Sequence, residues 1–232
     1  MTVTQLCEKQ NVTLPLGAQE IFDTYTDFLL EENEKYNLTA IRDRDGVVGR
    51  HLFDSLAPMM AGEWFDEPKK VIDIGTGGGL PGIPLAIASP QHAYTLLDST
   101  EKKCQFLRSF LQKVSLPVAV EWGRAEELGQ GKFREAFDVA VSRAVASLPA
   151  LCELALPMIA VGGTFLAYKG EQGREEWEQA KVGAEKLGGE LQKIIDVPTS
   201  DGSPACLIII KKIKKTPSVY PRKWGQIKKK PL

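Results

Sequence analysis

The sequence has no long apolar run and no group of closely spaced cysteines and histidines. Membrane proteins require the first feature, and most structural zinc sites require the second. No stretch approaches the roughly eighteen apolar residues of a membrane span, and the first residues show no basic segment leading into an apolar one, so neither a membrane protein nor a signal peptide is predicted. With two histidines and no CxxC pair, a metal site is not expected. We expect Cys7, Cys104, Cys152 and Cys206 to be buried or half-buried free thiols in a reducing cytoplasm.

What is present indicates a globular chain of 232 residues with unevenly distributed charge. Hydrophobic residues make up 43% and charged residues 25%, which are ordinary values for a folded protein. The net charge of −1 conceals a division, because residues 211–232 hold nine basic side chains and no acidic one. The other 210 residues therefore carry 20 basic and 30 acidic groups, a charge of −10. Such asymmetry indicates a polyanionic partner.

Apolar periodicity predicts an N-terminal helical part followed by alternating strands and helices. Helical spacing runs over residues 14–36 and again over about 45–60, and a turn at Asp66–Pro68 ends this part. The strands predicted after it span 71–74, 94–97, 118–122, 137–142, 164–168, 191–197 and 205–211. The helices predicted between them span 81–88, 100–114, 148–160 and 174–187.

This alternation predicts an α/β fold built on a doubly wound, mostly parallel sheet, with ligand at the carboxyl ends of the strands. The last two strands have no helix between them and therefore form an antiparallel hairpin. We expect a helical cap over residues 1–66, a sheet-containing core over 67–213 and a basic tail over 214–232.

A glycine-rich turn follows the first predicted strand. Glycines let the backbone bend sharply and approach a ligand closely, but Gly75, Gly77 and Gly79 do not have the G-x-G-x-x-G spacing of a dinucleotide site. Asp73, just before them, is poorly placed for a pyrophosphate and suits a cationic ligand such as a sulfonium-bearing amino acid. A purely structural turn is the alternative.

Asp98 ends the second predicted strand, 23 residues after Gly75. An acid at this position can accept hydrogen bonds from both hydroxyls of a ribose. Alternatively, Asp98 merely caps the helix that begins near Thr100. A nicotinamide dinucleotide would meet the same requirement, so Asp98 indicates an adenosine nucleoside without saying which one.

The loops after the third and fourth predicted strands supply further candidates. Ala125 and Glu126 face the adenine in this topology and offer a backbone edge and an acceptor for its amino group; the alternative is the start of an acidic surface helix. Arg143 lies nearest the transferable group, where a guanidinium can bind guanine O6 or a phosphate, or else form a surface ion pair.

The loop at residues 142–147 is also informative through what it lacks. It has no Asn/Asp-Pro-Pro-aromatic sequence to grip an exocyclic amine and no cysteine to attack a pyrimidine ring. An acceptor with a ready lone pair, such as guanine N7, needs neither device, because transfer to it can proceed by positioning alone. We therefore assign no certain catalytic residue, and positioning falls to Arg143.

Several basic residues are candidates for contact with RNA: Arg50, His51, Lys169, Arg222 and Lys223. The tail also carries Tyr220 and Trp224, whose rings can stack on bases. A solvated, disordered tail is the alternative.

Taken together, these residues resemble the ribosomal RNA small subunit methyltransferase G family, also called the glucose-inhibited division protein B family, over nearly the whole chain. The blocks that carry the resemblance are Tyr36–Ile41, Arg50–Ser55, Asp73–Leu85, Leu97–Lys103, Ser142–Ala144 and Lys169–Gly170. The ending Tyr220–Lys223 is similar to the form of the family found in Gram-positive bacteria. Two departures are Trp224, where proline is more usual, and Gly78, which replaces a common proline.

The resemblance implies a class I S-adenosylmethionine-dependent methyltransferase with a seven-stranded sheet. It implies N7-methylation of one guanine in 16S ribosomal RNA, which we expect to proceed by direct SN2 transfer. The expected cofactor-binding residues, including those from the glycine turn, are Asp73, Gly75, Gly77, Gly79, Leu80, Asp98, Ser99, Thr100, Ala125, Glu126 and Arg143. The expected partner is 16S ribosomal RNA or the 30S subunit, with no metal and no membrane, and the chain is expected to be a cytoplasmic monomer. A nicotinamide-dependent oxidoreductase and a non-catalytic, RNA-binding assembly factor are the alternatives.

Overall fold

The computed structural model describes all residues from Met1 to Leu232. Seven strands form its single sheet: β1 Lys70–Ile74, β2 Ala93–Asp98, β3 Val118–Trp122, β4 Phe137–Arg143, β5 Ile159–Gly170, β6 Gly189–Asp196 and β7 Ala205–Lys212. Ten α-helices accompany them: α1 Val3–Glu8, α2 Ala18–Tyr36, α3 Arg44–Gly46, α4 Ala57–Met60, α5 Gly82–Ala88, α6 Glu101–Leu111, α7 Ala125–Gln130, α8 Leu148–Ala155, α9 Gly173–Lys186 and α10 Trp224–Lys229. None of these helices is both long and apolar enough to cross a membrane.

The strands lie in the order β3-β2-β1-β4-β5-β7-β6. The first five are parallel, and β7 runs antiparallel to both β5 and β6. The predicted doubly wound sheet and terminal hairpin are therefore confirmed, with β7 inserted between β5 and β6. The strand order reverses at β1, which lies between β2 and β4, and in such sheets the crevice beyond the carboxyl ends of the strands at this point receives the ligand.

Two predicted helices are wrong in their extent, and a proline lies in each. The stretch 45–60 is divided into α3, a π-helix over Val47–Phe53 and α4. Pro58 has no N–H to donate, and it lies in the first turn of α4, where none is needed. The stretch 148–160 ends as an α-helix at Ala155, and Pro157 lies in a short 3-10 turn. Strand β5 then begins five residues before the predicted start at 164.

The helical cap and the sheet share one core. A cluster of 31 buried side chains joins cap residues such as Phe22 and Leu52 to sheet residues such as Val71 and Val141. The Tyr25 hydroxyl of α2 donates a buried hydrogen bond of 2.6 Å to the Gly78 carbonyl in the glycine turn. The three-part division of the chain stays a prediction, and the boundary near residue 66 separates helices from sheet without separating two cores.

Candidate active site

The glycine turn connects β1 to α5 at the point where the strand order reverses. Gly75 has a φ of +72°, and a Cβ there would lie 2.5 Å from Cγ2 of Val145, so a larger residue would meet both backbone strain and a clash. Beside Gly77 the nearest atom to such a Cβ would be 4.0 Å away, which leaves open space along the turn. The turn thus combines a tightly fixed start with room for a ligand next to its backbone.

Asp73 lies near the end of β1, and its carboxyl group extends into the glycine turn. Its Oδ2 accepts hydrogen bonds from the Thr76 hydroxyl at 2.6 Å and from the Gly82 N–H at 2.8 Å, and its Oδ1 is buried without a partner. Burial raises the pKa of this carboxyl group to about 7. The structure therefore gives Asp73 a part in shaping the turn, and its contact with a cationic ligand stays a prediction.

Asp98 joins the glycine turn to the start of α6. Its Oδ2 accepts a hydrogen bond from Gly77 N–H at 2.9 Å, and its Oδ1 accepts one from Thr100 N–H at 2.8 Å. Each carboxylate oxygen can accept more than one hydrogen bond, so both retain capacity for a ligand hydroxyl. The two roles considered for Asp98, holding the backbone and binding a ribose, are compatible in this geometry.

A cavity of about 150 Å³ opens beside Asp98. Its walls contain Gly75, Asp98, Ser99, Ala125 and Glu126, which are five of the predicted cofactor-binding residues. Cavities that hold a whole small molecule have volumes of about 300–1,000 Å³, so this one suits part of a ligand, such as a base with its sugar.

Other predicted cofactor-binding residues lie outside the walls of this cavity. They are Asp73, Gly77, Gly79, Leu80 and Thr100, which shape the turn or the start of α6, and Arg143, which lines a second cavity. The walls also include residues not predicted as cofactor contacts: Ile74, Leu97, Gly123, Arg124, Val145, Leu154 and Trp224. Most of these are apolar and resemble ordinary core residues in the sequence, so their pattern gives no signal of a ligand.

The second cavity, of about 470 Å³, brings together three residues predicted to bind RNA or position the acceptor: Arg50, Arg143 and Lys169. The loop after β4 lies between the two cavities, because Ala144 lines the second and Val145 lines the first. Ala144 has a φ of +57°, a strained conformation for a residue with a side chain. Such strain is concentrated at functional sites, and here it occurs between two adjoining cavities.

Arg143 is half-buried and donates hydrogen bonds to the Arg50 carbonyl at 3.2 Å and to Nδ1 of His51 at 3.5 Å. Because Nδ1 accepts, the proton of the neutral His51 ring lies on Nε2, which is 2.6 Å from the Thr39 hydroxyl. Burial and the nearby guanidinium lower the pKa of His51 to about 4. The arrangement therefore presents a fixed positive charge next to a neutral imidazole.

The remaining basic candidates differ in how free their charges are. Lys169 Nζ lies 2.8 Å from both Glu176 Oε2 and the Ala146 carbonyl, and its side chain is 8% exposed, so its charge is largely compensated. Arg222 is paired with the buried Glu153, whereas Lys223 is exposed. RNA contact by these residues stays a prediction, and Lys223 has the most accessible charge of the three.

All four cysteines are buried free thiols, as the sequence predicts. Burial raises the pKa of Cys7 and of Cys152 to about 12, which leaves both thiols protonated and unreactive near neutral pH.

Comparison with known proteins gives consistent results. A model of the family described as rRNA small subunit methyltransferase G matches residues 18–206. A protein named ribosomal RNA small subunit methyltransferase G from Alkaliphilus metalliredigens is 46% identical over 213 residues, which cover 90% of this chain and 88% of that protein. One of the same name from Staphylococcus aureus is 41% identical over 238 aligned positions, covering 100% of this chain and 99% of that protein.

Solved structures with the same fold are more distant in sequence. A TehB-like SAM-dependent methyltransferase from Corynebacterium glutamicum has a TM-score of 0.51 at 16% identity and covers 68% of this chain and 87% of its own. A branched-chain polyamine synthase variant from Thermus thermophilus has a TM-score of 0.59 at 17% identity, with coverage of 84% and 65%. At this identity the likeness concerns the fold alone, and it agrees with the predicted methyltransferase architecture.

Proposed function

Because the chain belongs to the rRNA small subunit methyltransferase G family, we propose that it transfers a methyl group from S-adenosylmethionine to N7 of one guanine in 16S ribosomal RNA. The observation that carries this proposal is the pair of adjoining cavities at the carboxyl edge of the sheet. One contains a carboxylate suited to a ribose, and the other contains a fixed guanidinium suited to a nucleotide. The end of β4 and the loop that follows it, at residues 143–145, lie between them.

The residues around the first cavity fit the adenosine half of the cofactor. Asp98 retains acceptor capacity for the ribose hydroxyls, and Glu126, whose carboxylate lies 3.1 Å from Arg124 Nε, adds an acceptor near the base. The open space beside Gly77 allows a ligand to continue along the glycine turn. When bound, S-adenosylmethionine supplies an electrophilic methyl group on a positively charged sulfur.

The second cavity fits the acceptor base. Guanine presents O6 and N7 as neighbouring acceptors on one edge, and a guanidinium is the group that most often recognises that edge. Arg143 keeps its charge here, and its contacts with His51 and the Arg50 carbonyl limit the directions it can adopt. We propose that Arg143 binds O6 or a neighbouring phosphate and thereby orients N7 for transfer.

No side chain has to remove a proton before the transfer. Guanine N7 carries a lone pair and no hydrogen, so an in-line displacement needs correct placement of the two reactants. The neutral His51 beside Arg143 agrees with a role in positioning. We propose no covalent intermediate and no general base for this reaction.

The proposed substrate places the chain with ribosomal RNA in the cytoplasm, and we propose that it acts as a monomer. The basic C-terminal residues support an encounter with a polyanion. The RNA alone and the 30S subunit offer the same guanine in different surroundings, and assaying both identifies which one the protein recognises.

Transfer of labelled methyl groups tests the proposal. Purified protein is incubated with labelled S-adenosylmethionine and with either 16S ribosomal RNA or 30S subunits from a strain that lacks the enzyme. We expect incorporation into at least one substrate, and a loss of at least tenfold in the rate with Arg143→Ala. RNA binding without incorporation on either substrate would instead support the non-catalytic assembly factor.

A further inference from the structure

We infer that Trp224, in the C-terminal segment, is a cofactor-binding residue whose indole contacts the adenine of S-adenosylmethionine. This inference rests on the proposed function. It gives Trp224 a different partner from the RNA bases that its place in a basic segment suggests. Trp224 begins α10 and forms part of the wall of the cavity that also contains Asp98 and Glu126. It lies 18 positions beyond the last residue, 206, that the family model matches.

The segment that carries Trp224 is fixed to the body by a buried charge pair. Glu153 on α8 is completely buried, and its carboxylate accepts hydrogen bonds from three groups of Arg222: the backbone N–H at 2.9 Å, Nε at 2.7 Å and Nη2 at 2.6 Å. Glu153 immediately precedes Leu154, another wall residue of the cavity. The pair thus sets the chain two residues before Trp224 against the helix that lines the cofactor cavity.

Contacts on both sides of this pair hold the segment in place. Arg134 donates hydrogen bonds of 2.6 Å to the carbonyls of Tyr220 and Thr216, and Gln130 donates one of 3.0 Å to the Pro221 carbonyl. On the other side, Ile227 of α10 is completely buried against α8. Trp224 therefore lies between two anchored points, and the indole packs against the apolar surface of α8.

The chemistry of the cavity indicates what the indole contacts. Its walls combine apolar side chains, among them Ile74, Leu97 and Leu154, with carboxylates at Asp98 and Glu126. A flat aromatic ring on such a wall favours the face or edge of a purine, while the carboxylates suit the sugar hydroxyls and an exocyclic amine. Adenosine has all three of these groups.

Calorimetric titration of the full-length protein with S-adenosylhomocysteine tests the inference. Trp224→Leu keeps an apolar side chain on α8 and removes the aromatic ring, and it should raise the Kd at least about fivefold, the low end of the effect of losing one stacked base. Trp224→Phe keeps a ring and should remain within about threefold of the wild type. Val219→Ala, at an exposed position in the same segment that lies outside the cavity, is the matched control and should leave the Kd unchanged.

Equal Kd values for Trp224→Leu and the wild type would overturn the inference. If Asp98→Ala weakens binding in the same titrations, the proposed cofactor site still stands and only the role of Trp224 fails. If the wild type itself does not bind S-adenosylhomocysteine, the proposed function fails as well. Thermal unfolding of Trp224→Leu and Trp224→Phe shows whether a loss of affinity comes from misfolding. If the two variants have equal Tm values, the difference between their Kd values is the contribution of the aromatic ring.

Discussion

At the scale of single residues, Asp98 has two tasks that share one carboxylate. It holds Gly77 and Thr100 through their N–H groups, and it also lines the cavity, where we expect its remaining acceptor capacity to meet the ligand. A side chain of this kind fixes the protein backbone and the ligand relative to each other. Losing it should therefore affect binding more than losing a group that only touches the ligand.

Asp98→Ala should weaken binding of S-adenosylhomocysteine by about 1–3 kcal/mol, because polar groups of the ligand and the turn lose their partners. Calorimetry measures this change directly. Asp98→Asn keeps one acceptor oxygen and should fall between the alanine variant and the wild type. Unchanged affinity in Asp98→Ala would contradict the ribose role.

His51 makes the stability of the protein depend on pH in a predictable direction. Its folded pKa of about 4 lies below the ordinary value near 6.5, so between these values the unfolded chain binds a proton that the folded chain does not. The stability contributed by neutral His51 is present above pH 6.5 and is lost as pH falls toward 4. At pH 5 the cost is about 2 kcal/mol relative to pH 7.

Urea unfolding at pH 7 and pH 5 checks this contribution. His51→Asn cannot titrate in this range, so the difference in unfolding free energy between the two pH values should be about 2 kcal/mol smaller than in the wild type. His92 is present in both proteins, and its titration therefore cancels in the comparison. Identical differences would show that burial and the neighbouring Arg143 do not hold His51 in its neutral form.

At the scale of structural elements, a buried pair that spans 69 positions in the sequence, Arg222 and Glu153, helps to hold the C-terminal segment. Arg222→Ala leaves the buried carboxylate of Glu153 without its cation. Removing one partner of a buried pair costs about 3–5 kcal/mol, and we expect the low end because Arg222 is 24% exposed. In a chain of this size the loss should lower Tm by about 6–12 °C.

The control for this variant is Arg174→Ala, which removes the exposed pair with Asp196. Both partners are largely in water, so its Tm should stay close to that of the wild type. Differential scanning calorimetry compares the two. Equal effects of Arg222→Ala and Arg174→Ala would show that the C-terminal segment is not held by its buried pair.

The sequence predicts the sheet and its terminal hairpin, but it does not predict the boundary between α8 and β5. The alternation of apolar runs and amphipathic helices predicts the parallel sheet, and Pro198–Pro204 predicts the turn of the hairpin, because both signals are local. Residues 148–170 are apolar almost throughout, so periodicity cannot separate the end of α8 from the beginning of β5. Pro157 decides that boundary.

The same distinction applies to the candidate site. Gly75, Asp98 and Glu126 lie at or shortly after the ends of strands, so the fold predicts that they meet at one edge of the sheet. Trp224 has no such local signal, since its segment is basic and polar and its position depends on Glu153 far away in the sequence.

At the scale of the whole molecule, the basic C-terminal residues pack against the core, through Arg222 and Ile227 among others. Their division from the core as a tail stays a prediction. Two of the basic groups in residues 211–232 are used internally. Arg222 pairs with Glu153, and Lys212 is completely buried and donates to the carbonyls of Leu156 and Leu187. Other basic groups are exposed, notably Lys228, Lys229 and Lys230 at the end of α10. These three join the exposed Lys223 as candidates for contact with phosphates.

Replacing Lys228, Lys229 and Lys230 by alanine should weaken RNA binding uniformly. For single-stranded RNA, each phosphate that is no longer neutralised reduces the dependence of log K on log salt by about 0.7, so the slope should shrink by up to about 2. Fluorescence anisotropy over a salt series measures it. An unaltered slope would show that these three lysines do not contact phosphates of the RNA.

The position of the methyl group on the ribosomal RNA tests the central claim most directly. N7-methylguanine is cleaved by borohydride followed by aniline, and primer extension then locates the break. We predict one break, at a single guanine of 16S ribosomal RNA from the deletion strain after treatment with this protein and S-adenosylmethionine, and a much weaker one after the same treatment with Arg143→Ala. Methyl incorporation with no aniline-sensitive guanine would contradict the account, because the methyl group would then be on another atom.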